Sequence, residues 1–478
     1  MITFSVALVL LILGYVFYGK FMDRYFGMDP SRPVPAETMA DGVDYVKLPV
    51  WKTFMIQFMN IAGLGPVFGA IMGAKFGTAS YLWIVFGCIF GGAVHDYMSG
   101  MVTMRNRGES LPNMIGRYMG KGMQRIFTFF SLILMVLIGC VFVSQPAELL
   151  SRLTPEKLDT NFWMIVIFVY YLVATLFPID KIIGHIYPIF GAALFFMAVG
   201  IMASLFIHQP QMPEIWNGFS TKYETNPIFP MMFISIACGA VSGFHGTQTP
   251  IMTRCLKNEK YGRPVFYGAM IAEGIVALIW AAVATIYYHD VGTSDTAATM
   301  TMNISKQWLG PIGGIIAIIG VIVAPISSGD TALRSARLII ADSLRFTQKG
   351  IANRLVISIP LFIITLGVLW YSISQKDGFA IIWRYFSWSN QMMAVFTLWA
   401  LTIYVCRAGK KPLPVLIPAL FMTCVTTTYA LMAPECFELP GFISYPGGAL
   451  VTLTFLFAFI RWKYHYKMHF PRQTRFFK

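Results

Sequence analysis

Charge is what this 478-residue chain has least of. Asp, Glu, Lys and Arg together make up 12% of it, about half the share found in an ordinary soluble domain. Aliphatic, aromatic and sulfur side chains make up 56%, and the mean hydropathy is +0.64. Forty phenylalanines cannot be kept from water by so few charges. A soluble enzyme and a disordered chain are therefore excluded, and most of the chain belongs in lipid. Cysteine is also scarce. Of the seven, Cys88, Cys140, Cys238, Cys406 and Cys424 lie in apolar runs, Cys255 lies in a basic loop, and Cys436 stands apart. That distribution offers no disulfide framework. Neither CxxC nor HExxH spacing occurs, so structural zinc and zincin chemistry have no signal. Acidic residues number 22 against 36 basic ones, a net charge of +14. In a soluble protein that excess would point to nucleic acid. Here the placement of the cations explains it instead.

A helix crosses the bilayer core with about 17–25 apolar residues. Thirteen runs meet or approach that length: Thr3–Phe21, Trp51–Ala74, Tyr81–Val102, Ile126–Val143, Phe162–Phe177, Ile186–Phe206, Pro227–Phe244, Pro264–Tyr287, Ile312–Ser328, Leu355–Tyr371, Phe379–Val405, Leu413–Met432 and Ile443–Ile460. They are numbered here as segments 1 to 13. The first lacks a basic leader and a clear small-residue cleavage site, so it is read as a retained span. Lys and Arg are held on the cytoplasmic side. With the N-terminus outside and the C-terminus in the cytoplasm, alternate loops and the tail hold twenty-nine cations inside against six outside. Arg384 is the one left over. The basic tail reads as a topology anchor beside anionic lipid.

Two segments are interrupted. Segment 2 carries Gly63, Gly65 and Pro66 in mid-span, and segment 7 carries Gly239, Gly243, Gly246 and Pro250 with polar neighbours. Glycine weakens a helix and proline removes a helical hydrogen bond. Open backbone at membrane depth is tolerated only inside protein or along a polar cavity. Paired breaks at matching places in two halves are a pointer to a transporter binding site. Segments 2–6 (51–208) and 7–11 (227–406) form two units of five that start on opposite sides. The expected architecture is an all-α polytopic membrane protein with a five-plus-five inverted repeat. One extra helix and its loop (1–50) precede the repeat, and two helices and the tail (412–478) follow it.

An ionisable group in hydrocarbon costs about 2.5–3.5 kcal/mol, so each one needs a reason. Glu273 in segment 8 is either a titrating, cation-pairing carboxylate or a structural carboxyl bonded to a neighbouring helix. The His95-Asp96 pair is either a proton relay or an anchor for the adjacent loop. Asp330, at the inner end of segment 9, is either a coupling carboxylate or the partner of Arg334 one turn on, at the cytoplasmic rim. Ser327 and Ser328 just before it offer hydroxyl oxygens to a hard monovalent cation. His245 sits in the interrupted segment 7, where a site role is favoured. Arg384 is either a carboxylate clamp or an interfacial arginine beside Trp383. Asn390 and Gln391 lie two turns deeper.

Four stretches resemble one family. They are Asn60-Ile61-Ala62-Gly63-Leu64-Gly65-Pro66-Val67-Phe68-Gly69-Ala70, Gly91-Gly92-Ala93-Val94-His95-Asp96, Phe244-His245-Gly246-Thr247-Gln248, and Arg384-Tyr385-Phe386-Ser387-Trp388-Ser389-Asn390-Gln391. Together they are similar to the carbon starvation protein A family, of which this chain resembles a short member. The resemblance implies a bacterial inner-membrane, multi-pass transporter of the amino acid–polyamine–organocation superfamily, with a LeuT-type 5+5 inverted repeat. It implies pyruvate-like carboxylates, carried by proton symport, or peptides as substrates. It also implies a sodium site joining backbone near Met59–Ala62 to Ser327 and Ser328.

The expected substrate site is then Asn60, Gly63, Gly65, Ser242, His245, Gln248, Arg384, Asn390 and Gln391, with half-helix N-termini favouring an anion. Proton coupling falls to His95, Asp96, Glu273 and Asp330. Ala62, Ser327 and Ser328 would hold sodium, and no other cofactor is expected. The partners are a small carboxylate or peptide and the lipid bilayer, not nucleic acid; no oligomeric state is implied. A channel would need a continuous polar stripe or repeated filter sequence, and an intramembrane enzyme a metal cluster or nucleophile motif; none is present. A membrane nutrient sensor would carry a signalling domain.

Overall fold

The computed structural model describes the chain apart from residues 42–44, 177–178, 220–225, 291, 293–294, 349, 376–377 and 470–478. Lys181, Lys222, Lys349, Lys376, Lys467, Arg472, Arg475 and Lys478, which enter the charge count, lie outside the described residues or side chains. No strand occurs among the described residues, and helix stands at each of the thirteen expected segments. Ten are single helices long and apolar enough to span a bilayer. Segment 5 is a shorter apolar helix, Thr160–Leu176. Segments 2 and 7 are the two that break.

Segment 2 runs as Val50–Ile61 and stops at Ala62, whose ψ of 56° leaves the helical range. Pro66 has no N–H to donate, and its ring would clash with the Ala62 carbonyl in a continuous helix. The chain resumes at Gly65 on an axis bent by 55°. Segment 7 runs as Ile228–Ser235 and leaves the helix at Ile236 (φ −98°, ψ 71°). Gly239 takes φ 89°, a left-handed conformation that costs glycine little. Helix returns at His245–Thr253. The expected unwinding over Gly239–Pro250 is thus moved upstream, to 236–244. Pro250 sits inside the resumed helix and leaves the Gly246 carbonyl without its usual donor. The Thr249 hydroxyl donates to that carbonyl at 3.2 Å, which is why a proline is tolerated there.

The two breaks touch. A Cβ on Gly65 would lie 2.0 Å from Cys238 Cβ. Segment 11 closes on the same place: Gly243 N–H donates to the Asn390 carbonyl at 3.2 Å. Backbone meets backbone here, and only residues without a side chain fit.

Segment 9 corrects the expected boundaries. Its helix is Ala297–Leu344, interrupted once at Gly310 (φ 70°, ψ −179°), so the run 312–328 is only its middle. Arg334 and Arg337, counted with the loop cations, lie on this helix at 3% and 4% exposure, and Asp330 is 1% exposed rather than at a rim. Hydropathy ends the span too early because this turn is held by polar partners. Arg334 Nη2 donates to the Ala174 carbonyl at 2.6 Å and lies 3.6 Å from Asp330 Oδ1.

The basic loops gather at one end of the bundle. Arg105 donates to Glu259 and to the Gly27 carbonyl, both at 2.7 Å. Arg263 pairs with Asp23 at 3.2 Å, Arg254 donates to the Gly108 carbonyl at 3.0 Å, and Lys410 to the Phe26 carbonyl at 2.7 Å. These contacts join the loops after segments 1, 3, 7 and 11, which the charge pattern groups together. Glu148, paired with Arg152 at 3.0 Å, and Arg384, paired with Glu435 at 3.2 Å, sit with the other group of loops.

Candidate functional site

Segment 3 is one helix from Ala79 to Arg105. It places His95 and Asp96 in mid-bundle rather than beside a loop, and both are fully buried. A buried carboxylate needs hydrogen-bond donors, and Asp96 takes two imidazoles. Its Oδ1 lies 2.8 Å from His95 Nδ1 and its Oδ2 lies 2.9 Å from His245 Nδ1. The other nitrogen of His245, Nε2, lies 3.4 Å from Glu273 Oε2. All four side chains are fully buried. His95, Asp96, His245 and Glu273 thus form one chain of ionisable groups across segments 3, 7 and 8. Asp96 oxygens accept at Nδ1 of both rings, so His245 carries a proton on Nδ1. His245 Nε2 and the Glu273 carboxylate face each other without a hydrogen bond between them, and either can take one further proton.

Ser242 and Asn390 lie beside this chain. Asn390 Oδ1 accepts from the Phe244 backbone N–H at 2.7 Å and from the Ser242 hydroxyl at 3.1 Å. Gln391 Nε2, next along segment 11, donates to the Phe233 carbonyl at 3.3 Å. Segment 11 therefore grips the unwound stretch of segment 7 on both flanks. At the opening of the half-helix, the Phe244 N–H has the Asn390 carboxamide as its acceptor, and the Gly246 and Thr247 N–H groups donate to the Gly243 and Phe244 carbonyls. Gln248 donates to the Thr247 hydroxyl at 3.0 Å, and its buried Oε1 has no hydrogen-bond partner, as is the case for Gln391 Oε1. Asn60, His245, Gln248, Asn390 and Gln391 are all 0–1% exposed, so the breaks are closed to both faces.

A second group joins segments 2 and 9. The Ser328 hydroxyl donates to the Met59 carbonyl at 3.0 Å, and Thr331 to Asn60 Oδ1 at 3.4 Å. Gly63 packs against the Phe142 ring and Ser328 Oγ. Ser327 turns back to its own helix and donates to the Ala324 carbonyl at 2.7 Å. Ala62 is fully buried at the end of the first half-helix. Asp330 lies one turn along segment 9, beside Arg334.

Arg384 is apart from both groups. Its side chain is 45% exposed and pairs with Glu435 in the loop after segment 12. Its charge is satisfied at the surface, away from the breaks. Only the Arg384 end is open to water; Glu435 is 6% exposed and also accepts from the Tyr429 hydroxyl. Because the pair is apart from the breaks, Arg384→Gln is expected to leave substrate affinity within about twofold of the parent, as read from the concentration dependence of uptake.

Cys238 is the member that sequence reasoning passes over. It lies in an apolar run, yet its Sγ is 3.6 Å from Ser242 Oγ and 3.5 Å from Asn390 Nδ2. Its position on the break, seven residues before His245, is the one signal in the sequence. Gln57, a polar residue already visible on segment 2 in the sequence, is buried with both its polar atoms without a hydrogen-bond partner.

The profile of the family described as carbon starvation protein CstA matches residues 1–156, 151–313 and 289–429. An uncharacterized membrane protein of Haemophilus influenzae is 38% identical over 61% of this chain and 92% of its own length. The peptide transporter CstA of Campylobacter jejuni is 26% identical over 88% of this chain and 78% of its own. The pyruvate/proton symporter BtsT of Escherichia coli is 28% identical over 61% of this chain and 50% of its own. Among solved structures, MhsT in complex with L-phenylalanine aligns with a TM-score of 0.56 at 14% identity, over 84% of this chain and 97% of that one. The Eremococcus coleocola manganese transporter, in complex with an aromatic bis-isothiourea substituted compound, aligns at 0.54 and 12% identity, over 92% and 99%. Both have the LeuT fold, and at these identities the likeness shows the fold alone. The chain has that fold, with discontinuous helices at the two breaks described above.

Proposed function

This chain belongs to the carbon starvation protein CstA family, and we propose that it is a secondary active transporter importing a small carboxylate or short peptides with protons. It lies in a bacterial inner membrane, with the N-terminus outside and the basic tail in the cytoplasm. The two five-segment units, 51–208 and 227–406, alternate access to a site at the paired breaks. The observation that carries the proton is the buried chain His95–Asp96–His245–Glu273, which ties the break in segment 7 to segments 3 and 8. A proton placed at one end of such a chain changes the hydrogen bonding at the other. Movement of segment 7 and protonation are thereby linked.

The substrate carboxylate competes with the Asn390 side chain for the Phe244 N–H and the Ser242 hydroxyl, just before the His245–Thr253 half-helix. A helix N-terminus favours an anion, and Asn390 is a neutral acceptor that holds the place in the closed state. The named relatives support both substrate classes, one as a peptide transporter and one as a pyruvate/proton symporter.

Uptake of labelled pyruvate and of short peptides into proteoliposomes tests this reading. The expected result is accumulation driven by an inward proton gradient and collapsed by a protonophore. Failure to take up either class, or uptake indifferent to the gradient, overturns it.

A sodium-coupled reading rests on one contact, Ser328 Oγ to the Met59 carbonyl at 3.0 Å. It joins a hydroxyl to open backbone at a half-helix end, the donor set that suits a hard monovalent cation. In that case Ser328→Ala removes stimulation by sodium. Under proton coupling the same variant is expected to keep uptake within about threefold, the cost of one neutral hydrogen bond of roughly 0.5–1.5 kcal/mol being spread over the whole cycle. Uptake measured in sodium-free and sodium-loaded buffers separates the two.

A further inference from the structure

One ligand atom from each of Cys238, His245 and Glu273 lies within 4.8 Å of the other two, and all three residues are buried. Sulfur, imidazole nitrogen and carboxylate oxygen in one place form a donor set for transition metals rather than for Na+ or Mg2+. We propose that these three side chains form a binding site for a thiophilic divalent cation of the zinc and cadmium kind.

Three features of the site point to it. His245 Nδ1 is bound by Asp96 at 2.9 Å, which fixes the ring and turns Nε2 toward the centre of the cluster. A metal-bound histidine is ordinarily braced at its other nitrogen by a carboxylate in this way. Nε2 is buried without a hydrogen-bond partner, and Glu273 Oε2 is 3.4 Å from it. Zinc bonds of about 2.0–2.3 Å put tetrahedral ligands roughly 3.3–3.8 Å apart, so groups within 4.8 Å of one another need to close by about 1.5 Å at most. Cys238 stands on the unwound stretch 236–244, where the backbone is not committed to a helix, and can make that move.

The ion reaches the site when alternation opens the break. Once bound, it joins segment 7 to segment 8 and takes the lone pairs that the proton uses. It therefore arrests the cycle. This consequence rests on the proton-coupled reading above, whereas the binding does not.

The test uses purified full-length protein titrated with Cd2+. It reads the ultraviolet thiolate-to-cadmium band and the bound cadmium per chain, alongside proton-driven uptake with and without Cd2+. One ion per chain with a thiolate band is expected. Cys238→Ser should lose the band and weaken binding by more than about tenfold. Glu273→Gln should weaken binding but keep the band. Cys436→Ser, at an exposed cysteine elsewhere, should change neither, and melting temperatures report whether each variant folds. A band that persists in Cys238→Ser, or the absence of stoichiometric binding by the parent protein, overturns the site. Stoichiometric binding that leaves proton-driven uptake untouched keeps the site and overturns the relay. Loss of binding with intact proton-driven uptake does the reverse.

Discussion

Asp96→Asn is expected to cut proton-driven accumulation on the order of a hundredfold, the scale on which a positioned proton-transfer group contributes to a rate. The reason is the number of acceptors. Asp96 offers an oxygen to each of two imidazole nitrogens, at 2.8 and 2.9 Å. Asparagine has nearly the same shape but one acceptor and one donor. Whichever ring meets the new NH2 has to move its proton to the other nitrogen. If that ring is His245, the proton arrives at Nε2, opposite Glu273, and the nitrogen that would take a proton from Glu273 is filled. The bundle stays packed, because no volume is lost. Asp96→Ala is a poorer test, since it leaves two buried imidazoles unpaired at about 1–3 kcal/mol each. Counterflow exchange of substrate, which needs no net proton movement, should survive in Asp96→Asn while accumulation disappears. Accumulation at the parental rate would remove the relay from the mechanism.

Gly243→Ala is expected to destabilise the folded protein by about 3 kcal/mol, the upper range for overpacking a core. The added methyl group would stand 2.3 Å from the Ala394 nitrogen and 2.4 Å from the Asn390 carbonyl oxygen. Both are backbone atoms and cannot rotate aside. Pushing segment 11 away stretches the Gly243–Asn390 hydrogen bond at 3.2 Å and the Phe244–Asn390 bond at 2.7 Å. Each contributes roughly 1 kcal/mol. Gly367→Ala is the control. That glycine lies inside the helix Ile351–Ser374 with nothing within 4 Å of where the methyl group would stand, and alanine is the better helix former by about 1 kcal/mol. Thermal melting in detergent should fall clearly for the first variant and hold or rise for the second. Equal melting temperatures would mean that segments 7 and 11 are not in backbone contact.

The thirteen segments and the two interruptions are legible without coordinates because the bilayer imposes them. A span needs a minimum apolar length, and glycine or proline at mid-depth needs protein around it. The grouping of the basic loops is legible for a similar reason, since cations are costly to move across lipid. Extents are less so. Segment 7 is helical again through Pro250, and segment 9 runs on past Asp330, because Thr249 and Arg334 supply hydrogen bonds that hydropathy does not register. His95, Asp96, His245 and Glu273 are each visible as polar residues in an apolar chain. Their union is not, because Asp96 and His245 are 149 residues apart and only the packing of segments 3, 7 and 8 brings them together. Arg384 shows the converse. Its charge stands out in the sequence, but its partner Glu435 lies in a loop whose position no local pattern encodes.

Composition, periodicity and the placement of Gly, Pro, Lys and Arg by themselves determined a polytopic helical protein broken at two matching points, since these are responses to one uniform solvent, the lipid. Which side chains face one another at those breaks, and that Cys238 is among them, was decided by tertiary structure alone. Side-chain chemistry at a site depends on distances of a few ångströms between segments distant in the chain, and such distances are set by packing rather than by any local run of residues.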